Sequence, residues 1–452
     1  MAVPVSSPFI VSMLVFIATI YLVFKHPTIR IPFTSKYIQI DYGLAPIVGV
    51  IILVATLSIG IDTIAGGIVG SAGVKPYSII ILIMSLSYIC VSLDFTGFFE
   101  YLSLRVARAS KNSGKRLFVY FFLLTAFLTL FTDNDTVILT MTLIIFYVCK
   151  NARLDPIPFL FAQFFAVNIL GMALYIGNPT NIVAADAYGA NGLSFMEFAR
   201  WMFLPSIFAA VSCFLLLWLV FRRRIPNQFK TPKIDPRSAL KNRNGALFGS
   251  IVLTCTIVFM SLPTSWTGIP LWGIALFFAL VMFLHDVVTY RSSISAISSR
   301  VPWKIVPFLM GFFIIIEGLA STGWTELFAS QLSKISGSPI TMIFSICILS
   351  SLAASVMNNH PMTIFFVKTF QSPSFVASQT ASLGSTTALI AGSNFGANFT
   401  LMGALAGLMW AKILSDKGYP ISFKEFSKYG FLIMPIVIAV ACLVLSVELA
   451  IL

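Results

Sequence analysis

Long apolar runs, separated by short polar breaks, follow one another along nearly the whole chain. Most of these runs are 16 to 25 residues long, which suits helices that cross a hydrocarbon layer of about 30 Å, whereas barrel strands would alternate in segments of about 10 residues. The pattern therefore predicts an all-α polytopic membrane protein and excludes a soluble fold, a single-span anchor and an outer-membrane barrel. The apolar segments lie at about 8–24, 43–61, 76–92, 116–131, 134–149, 156–176, 197–221, 246–262, 270–286, 302–320, 339–356, 361–371, 377–392, 400–413 and 429–450.

The composition agrees with this interpretation. Of 452 residues, 58% are apolar and 10% are charged, whereas a soluble domain carries about 25% charged residues. The six cysteines lie in or beside apolar runs without metal-ligand spacing, so we expect them to serve helix packing rather than disulfides or a metal site. No cofactor is predicted. The chain has no HExxH or nucleophile-elbow motif, which disfavours an intramembrane enzyme.

Two pairs of short apolar segments are joined by polar breaks and predict re-entrant hairpins. The first hairpin consists of 116–131 and 134–149, and the second of 339–356 and 361–371. Irregular backbone at membrane depth is tolerated only where protein or a water-filled cavity satisfies its hydrogen bonds. The two breaks therefore indicate an interior site.

An internal repeat relates the two halves of the chain. Residues 96–102 match residues 322–328 at an offset of 226, and each match opens a short amphipathic stretch, 98–110 and 324–336. Such stretches suit helices that lie in the membrane interface. Repeats of this kind are typical of secondary transporters.

The polar breaks recur at similar offsets. Asn134 pairs with Asn359 at an offset of 225, and residues 177–181 pair with residues 396–400 at an offset of 219. Each half is expected to contain about five spans, an interfacial helix, a re-entrant hairpin and a broken helix. Five crossings are an odd number, so the second repeat is inserted upside down relative to the first. The predicted parts are a first inverted repeat (1–224), a basic cytoplasmic linker (225–244) and a second inverted repeat (245–452).

The positive charges test this layout. If the segment 222–243 is cytoplasmic, the predicted spans place 25 of the 29 Lys and Arg residues on that side of the membrane. This asymmetry follows the positive-inside rule and places both termini on the outer side of a cytoplasmic membrane. The formal charge of +13 is thus explained by topology, and no nucleic-acid partner is expected.

Four polar clusters within the apolar sequence carry the candidate chemistry. An ionised Asp at the bilayer centre costs about 2.5 to 3.5 kcal/mol on the insertion scale, so the two Asp residues of the first cluster favour a functional role. The alternative is that one of them only caps the following helix. The clusters are Thr132–Thr136, Gly177–Asn181, Asn358–Pro361 with Thr363, and Ser393–Thr400.

The four clusters are expected to meet near the bilayer midplane. There, half-helix termini would present partial charges to a small polar or ionic solute. Asp133 or Asp135 would carry the coupling ion. The candidate solute-binding residues are Asn134, Asp135, Asn178, Thr180, Asn181, Asn358, Asn359, Asn394, Asn398 and Thr400.

Two further ionisable residues lie at or near the predicted interior. Glu317 lies in a span close to its outer end, so we expect it to reach the interface, with a proton-carrying role as the alternative. His360 is the histidine of the third cluster, where it could titrate near neutral pH or only hydrogen-bond the backbone.

Several motifs occur in the order typical of one transporter group. They are Gly97–Glu100, Asn134-Asp135, Asn181–Val183 followed by Ala185-Asp186, Phe221-Arg222 with Ile225-Pro226, Met357–Pro361, and Gly403–Ala406 before Trp410. With these motifs the chain resembles the ion transporter superfamily, and within it the arsenite/antimonite efflux permeases of the ArsB type. The resemblance implies a scaffold and a transport domain, elevator-like alternating access, and proton-driven export, sometimes aided by a cytosolic ATPase partner.

The chain departs from that group at two positions. Asn394 and Asn398 stand where the efflux permeases carry an Asp and a Lys. Losing both charges leaves the substrate open, because related branches carry sodium ions against protons, or dicarboxylates, on the same scaffold.

The leading hypothesis is a proton-coupled exporter of arsenite or antimonite, because trivalent arsenic is chiefly a neutral trihydroxide that suits amide and hydroxyl partners. A sodium/proton antiporter is the second, since two Asp residues share one hairpin tip. A sodium-coupled dicarboxylate transporter is third, because the clusters hold no Lys or Arg. A channel is disfavoured by the doubled broken helices. The expected partners are the solute, protons or sodium ions, the lipid bilayer, a second copy of the chain and the ATPase.

Overall fold

Helices form nearly the whole protein in the computed structural model, which describes residues 6–30, 37–71, 74–189, 192–229, 235–335 and 338–451. Nine of the helices in these ranges are long and apolar enough to cross a membrane. The first-half helices are α1 (Ser7–Lys25), α2 (Leu44–Ala55), α3 (Ile61–Val69), α4 (Pro76–Phe95), α5 (Phe98–Ala109), α6 (Gly114–Phe131), α7 (Asn134–Ala152), α8 (Ile157–Gly171), α9 (Pro179–Asp186) and α10 (Phe195–Phe221).

The second half of the chain is also built almost entirely of helices. Its helices are α11 (Arg243–Ser261), α12 (Thr264–Thr267), α13 (Leu271–Thr289), α14 (Ile294–Ser298), α15 (Ile305–Ser321), α16 (Trp324–Ser333), α17 (Pro339–Met357), α18 (Asn359–Phe370), α19 (Gln379–Gly396), α20 (Leu405–Asp416) and α21 (Phe423–Ala450). Short 3₁₀ turns occupy Tyr175–Gly177 and Pro236–Ala239. The predicted all-α polytopic fold is confirmed.

A small β-hairpin lies outside the apolar segments of the hydrophobic pattern, as do nearly all of α3 and the short helices α12 and α14. Strands β1 (Thr28–Arg30) and β2 (Tyr37–Gln39) pair antiparallel, with Ile29 opposite Ile38. Both strands are exposed and only three residues long, so they carry no apolar alternation that would distinguish them from a loop.

The two short amphipathic stretches form separate helices, α5 and α16, as predicted. Each begins after a glycine with positive φ, 84° at Gly97 and 97° at Gly323. Glycine adopts this conformation without a Cβ clash, which lets the chain turn sharply out of the preceding span. The axes of α15 and α16 differ by 73°.

Helix packing separates two groups of elements. In the first group, α4 packs against α13, and α15 packs against α2 and α3. In the second group, α6 packs against α8, α17 against α18 and α19, and α10 against α21. All fifteen residues of α8 are buried, which is the behaviour expected of a helix that is apolar on every side. The site lies in this second group.

The breaks fall where the polar clusters predict them. A turn at Thr132-Asp133 separates α6 from α7, and Asn358 separates α17 from α18. With 12 residues, α18 is about 18 Å long, too short to cross a core of about 30 Å. This length supports the re-entrant interpretation of the second hairpin.

The broken helices correct one part of the repeat alignment. Residues 177–181 lie at the end of a break, because Asn178 caps the first turn of α9, whereas residues 396–400 lie at the start of one, because Gly396 ends α19. The predicted pairing of 177–181 with 396–400 is therefore wrong. An offset of 219 aligns similar amino acids that occupy different places in the helix pair.

The ends of the helices show the structural correspondence. Gly171 ends α8 and Gly396 ends α19, at an offset of 225. Gly177 lies against the carbonyl of Gly171, and Gly403 lies against the carbonyl of Gly396. These parallels support the proposal of two repeats with one order of parts.

Candidate solute site

The first hairpin tip is stabilised by a helix cap. The Asp133 carboxylate accepts hydrogen bonds from the Thr136 backbone N–H at 2.9 Å and from Thr136 Oγ1 at 2.8 Å. Asp133 is therefore the N-cap of α7. Asp135, two residues further along the chain, is half-buried. The capping role expected as the alternative is present at Asp133, and it leaves Asp135 free of that task.

Buried asparagines connect the first tip to the second broken helix. Asn134 Nδ2 donates to Asn168 Oδ1 at 3.2 Å, and Asn168 Nδ2 donates to Asn398 Oδ1 at 2.9 Å. Asn398 Nδ2 in turn donates to the Phe165 carbonyl at 3.4 Å. All three asparagines are buried. This series of hydrogen bonds joins α7, α8 and the end of α19.

A second group of amides joins the two broken helices directly. Asn178 Nδ2 donates to Asn394 Oδ1 at 2.9 Å, and Asn394 Nδ2 donates to Asn181 Oδ1 at 2.8 Å. Close by, the Thr180 and Ser393 hydroxyls lie 3.0 Å apart. Every member is buried, so each amide satisfies another that has no access to bulk water.

The same break also exposes helix carbonyls to side chains. Asn181 Nδ2 donates to the carbonyls of Gly171 and Leu174 at 2.7 and 3.0 Å. Gly171 is the last residue of α8, so its carbonyl has no partner within that helix. The Leu174 carbonyl lies in the break itself and also accepts from the Gly177 N–H at 3.1 Å. Asn181 therefore supports the broken backbone as well as the amide group.

The second hairpin tip differs because several of its polar atoms have no partner. Asn358 caps α18 by accepting from the His360 backbone N–H at 3.2 Å, and the Asn359 N–H donates to the Gly403 carbonyl at 3.0 Å. Among the described residues no group bonds Asn358 Nδ2, the Asn359 amide or His360 Nε2. All three side chains are at most 2% exposed, so these polar atoms are buried without a protein partner and could bond a polar solute.

Most of the predicted residues belong to one of these hydrogen-bonded groups, and the second tip joins them through the Asn359 N–H on the Gly403 carbonyl. Asp135 takes no part in these hydrogen bonds. Thr400 Oγ1 donates to the Ser355 carbonyl, which joins the fourth cluster to α17. Asn168 is a central member that the sequence interpretation missed, and Ser393 is a neighbour left out of the solute-binding set. The signal for Asn168 was an amide inside the apolar run 156–176, and it lies 226 residues before Asn394.

The site contains no cation among the residues that the structure describes. Lys368 is the one buried Lys or Arg there, and its Nζ lies 2.6 Å from Glu317 Oε2. Glu317 therefore has a charged partner that the sequence pattern does not predict. Neither residue contacts the amide groups.

A cavity of about 680 Å³ approaches the first tip from one face of the protein. It is lined by residues of α4, α5, α7 and α20, among them Asp94, Glu100, Thr136 and Thr140, and by the cations Lys241, Arg300 and Lys417. Lys241 and Lys417 are exposed, so the cavity reaches solvent. We call this side of the protein the linker face.

Hairpin tips and broken helices whose buried polar groups meet inside a bundle of spanning helices define a secondary membrane transporter. The chain belongs to the citrate transporter family (CitMHS), whose model matches residues 28–383. It is a membrane transporter and not an enzyme.

Two of the similar proteins are named after membrane pumps. The arsenical pump membrane protein of Escherichia coli K12 is 28% identical over 369 residues, which cover 80% of this chain and 84% of that protein. A putative arsenical pump membrane protein of Bacillus subtilis is 26% identical over 389 residues, 82% of this chain and 87% of that protein.

Two solved transporters share the fold. The YdaH transporter of Alcanivorax borkumensis superposes with a TM-score of 0.58 at 11% identity, over 99% of both chains. MtrF of Neisseria gonorrhoeae superposes with a TM-score of 0.53 at 13% identity, over 98% of this chain and 95% of that one. At these identities the likeness concerns the fold alone.

Proposed function

We propose that the protein exports arsenite or antimonite across the cytoplasmic membrane in exchange for protons, by an elevator-like alternating-access mechanism. The names of the relatives in Escherichia coli and Bacillus subtilis point to this substrate. The buried site supports it, because amides and hydroxyls without a fixed cation suit a neutral trihydroxide.

The observation that carries the proposal is a difference in hydrogen bonding between the broken helices and the second hairpin tip. The amides of the broken helices bond one another, whereas Asn359 and its neighbours at the second tip keep donors and acceptors free. A small solute with several hydroxyl groups can bond such a set as donor and as acceptor. Asp135, on the first tip, is the candidate proton carrier.

Asp133 and Asp135 favour a second candidate, a sodium/proton antiporter. Two carboxylates at one tip, with amide oxygens nearby, suit a sodium ion as well as a proton. Citrate, after which the family is named, would need cationic partners. Among the described residues, the one buried Lys already pairs with Glu317, which disfavours citrate and dicarboxylates.

Transport into proteoliposomes decides among the candidates. Arsenite, sodium and citrate are offered side by side, with and without an imposed pH gradient. The proposal predicts arsenite flux that depends on the pH gradient and is insensitive to sodium. Sodium-induced collapse of the pH gradient without arsenite flux would establish the antiporter instead.

The coupling residue is tested in the same assay. Asp135→Asn should leave arsenite exchange measurable but abolish its dependence on the pH gradient, because the amide cannot carry the proton. Asp62→Asn makes the same chemical change at an exposed position of α3 and should behave as the unmodified protein. Unchanged coupling in Asp135→Asn would remove this residue from the mechanism.

A further inference from the structure

A buried ion pair and a hydroxyl connect the second hairpin to the helices around it. Lys368 Nζ lies 2.6 Å from Glu317 Oε2. Ser71 Oγ lies 2.9 Å from both Glu317 carboxylate oxygens and also accepts from Lys368. The side chains of Lys368 and Glu317 are only 7% and 17% exposed. We call these three residues the Lys368 cluster.

The cluster joins the two groups of packed helices. Lys368 lies in the last turn of α18, the second arm of the hairpin. Helix α18 packs against α17, α19 and α9, and on its other side against α15, so it forms the boundary between the two groups. Glu317 lies on α15, which packs against α1, α2 and α3, and Ser71 follows the end of α3. Motion of the hairpin group relative to the α15 group must therefore separate the partners.

The helix α4 shows that the cluster and the solvent-filled cavity lie on opposite faces. Ser71 comes shortly before the first residue of α4 and bridges to Val74. At the other end of α4, Asp94 and Gly97 line the cavity on the linker face. The 20 residues of α4 measure about 30 Å. In the described state the ion pair is therefore closed while the cavity at the first tip opens on the linker face. A second cavity of about 430 Å³, lined by residues of α4 and α9, lies on the side of the ion pair.

We propose that the Lys368 cluster is a latch that holds the second hairpin against α15 in the state open to the linker face, and that it opens when the site turns to the opposite face. This inference rests on the alternating access of the proposed function. Separating the pair within the membrane leaves two uncompensated charges in a medium of low polarity, which is strongly unfavourable. The pair therefore favours the latched state until water reaches both groups.

Cysteine labelling measures the latch without any transported solute. Thr140→Cys lines the cavity on the linker face, and the background carries Cys255→Ser because the other five cysteines are buried. The protein is placed in lipid nanodiscs, so that both faces are accessible, and the rate of reaction with a charged maleimide is recorded.

Glu317→Gln and Lys368→Gln should each slow the labelling of Thr140→Cys by about threefold or more, because the population shifts away from the state open to the linker face. The charge-reversed pair Glu317→Lys with Lys368→Glu should restore most of the rate. Arg224→Gln is the matched control, since it breaks an exposed ion pair with Asp155 of similar length, 2.7 Å, and should leave the rate unchanged.

Ser71→Ala keeps the ion pair and removes only the hydroxyl, so it remains informative if the charge variants do not accumulate. It should slow labelling in the same direction by a smaller factor. An unchanged or faster rate in Ser71→Ala, or in both Glu317→Gln and Lys368→Gln, would overturn the latch. A labelling shift in a protein that moves no arsenite would refute the proposed substrate and leave the latch standing.

Discussion

The buried asparagines of the site fall into two kinds, which the sequence does not distinguish. Asn394 accepts from Asn178 and donates to Asn181 and to the Ile390 carbonyl, so its amide holds two broken helices together. Asn359 is equally buried, yet both of its amide atoms lack a partner among the described residues. The first kind serves the structure and the second kind is available to a solute.

Asn394→Ala should reduce both stability and transport. The substitution leaves Asn178 Nδ2 and Asn181 Oδ1 buried without a partner, at a cost of about 1 to 3 kcal/mol for each. We expect a lower melting temperature in detergent and little arsenite flux. Asn151→Ala, at an exposed position on α7, should change neither quantity. A melting temperature equal to that of the unmodified protein would contradict the bonding role of Asn394.

Asn359→Ala should separate the two quantities. Because the amide has no protein partner to lose, its removal takes away a buried polar group and should leave the melting temperature unchanged or slightly raised. Transport should fall, with a KM for arsenite raised about tenfold by the loss of roughly 1.4 kcal/mol of binding. A normal KM in this variant would remove Asn359 from the solute site.

At the scale of elements, the breaks depend on close backbone contact. Gly177 and Gly403 each lie against the carbonyl of the glycine that ends the preceding helix, and this contact brings the two halves of each broken helix together. A side chain in that position meets backbone that cannot rotate away. The geometry of the break therefore depends on glycine for its close approach.

Gly177→Ala should impair transport strongly, because the new Cβ would lie about 3.0 Å from the Gly171 carbonyl carbon and Cα, and nearer still to the carbonyl oxygen. Gly60→Ala is the control, since a Cβ at Gly60 meets nothing within 4 Å. We expect normal flux from Gly60→Ala and at least about tenfold less from Gly177→Ala. Equal flux from the two variants would show that the break tolerates a wider spacing.

At the scale of the whole molecule, carboxylates at helix ends pair with the cations of the linker face. Arg224 pairs with Asp155, Arg300 with Asp94 and Lys304 with Asp41, at 2.7, 3.6 and 2.6 Å. Exposed pairs of this kind contribute little stability individually. Their common face agrees with the charge asymmetry from which the orientation is predicted.

The predicted orientation can be tested by cysteine labelling in intact cells. Thr264 and Ser238 are exposed and lie beyond opposite ends of α11. In the Cys255→Ser background, Thr264→Cys should react with an impermeant maleimide from outside, and Ser238→Cys only after permeabilisation. The reverse pattern would place the termini on the cytoplasmic side.

Asp41 gives the linker face a pH-dependent contact. Burial raises the pKa of Asp41, but hydrogen bonds from Lys304 and from the Leu44 N–H outweigh it, so the net pKa lies below its usual value. A lowered folded pKa stabilises the protein above the unfolded value of about 3.9, and this stability is lost as the pH falls through the folded pKa. Asp41→Asn should therefore melt earlier than the unmodified protein at neutral pH, and the difference should vanish in strong acid.

Much of the architecture could be predicted because lipid restricts the backbone to helices and makes polar breaks costly. The hairpin breaks at Asp133 and Asn358, and the short helices after Gly97 and Gly323, appear in the structure where the pattern places them. The pairing of 177–181 with 396–400 failed, because side-chain similarity does not record which side of a helix break a residue occupies. Asn168 was missed because the same alignment, made from side-chain similarity, did not show that its position before the break faces the second broken helix.

The sequence by itself determined the class of fold and the four polar clusters, and it predicts the side of the membrane on which cations accumulate, since hydropathy and charge act locally along the chain. Tertiary structure alone decided which polar side-chain atoms have a hydrogen-bond or ion-pair partner. Asn394 and Asn359 cannot be told apart in the sequence. Glu317 and Lys368 are 51 residues apart in the chain, yet these two side chains form an ion pair. Hydrogen bonds and ion pairs depend on distances of about 3 Å between atoms, which only the packing of the helices sets.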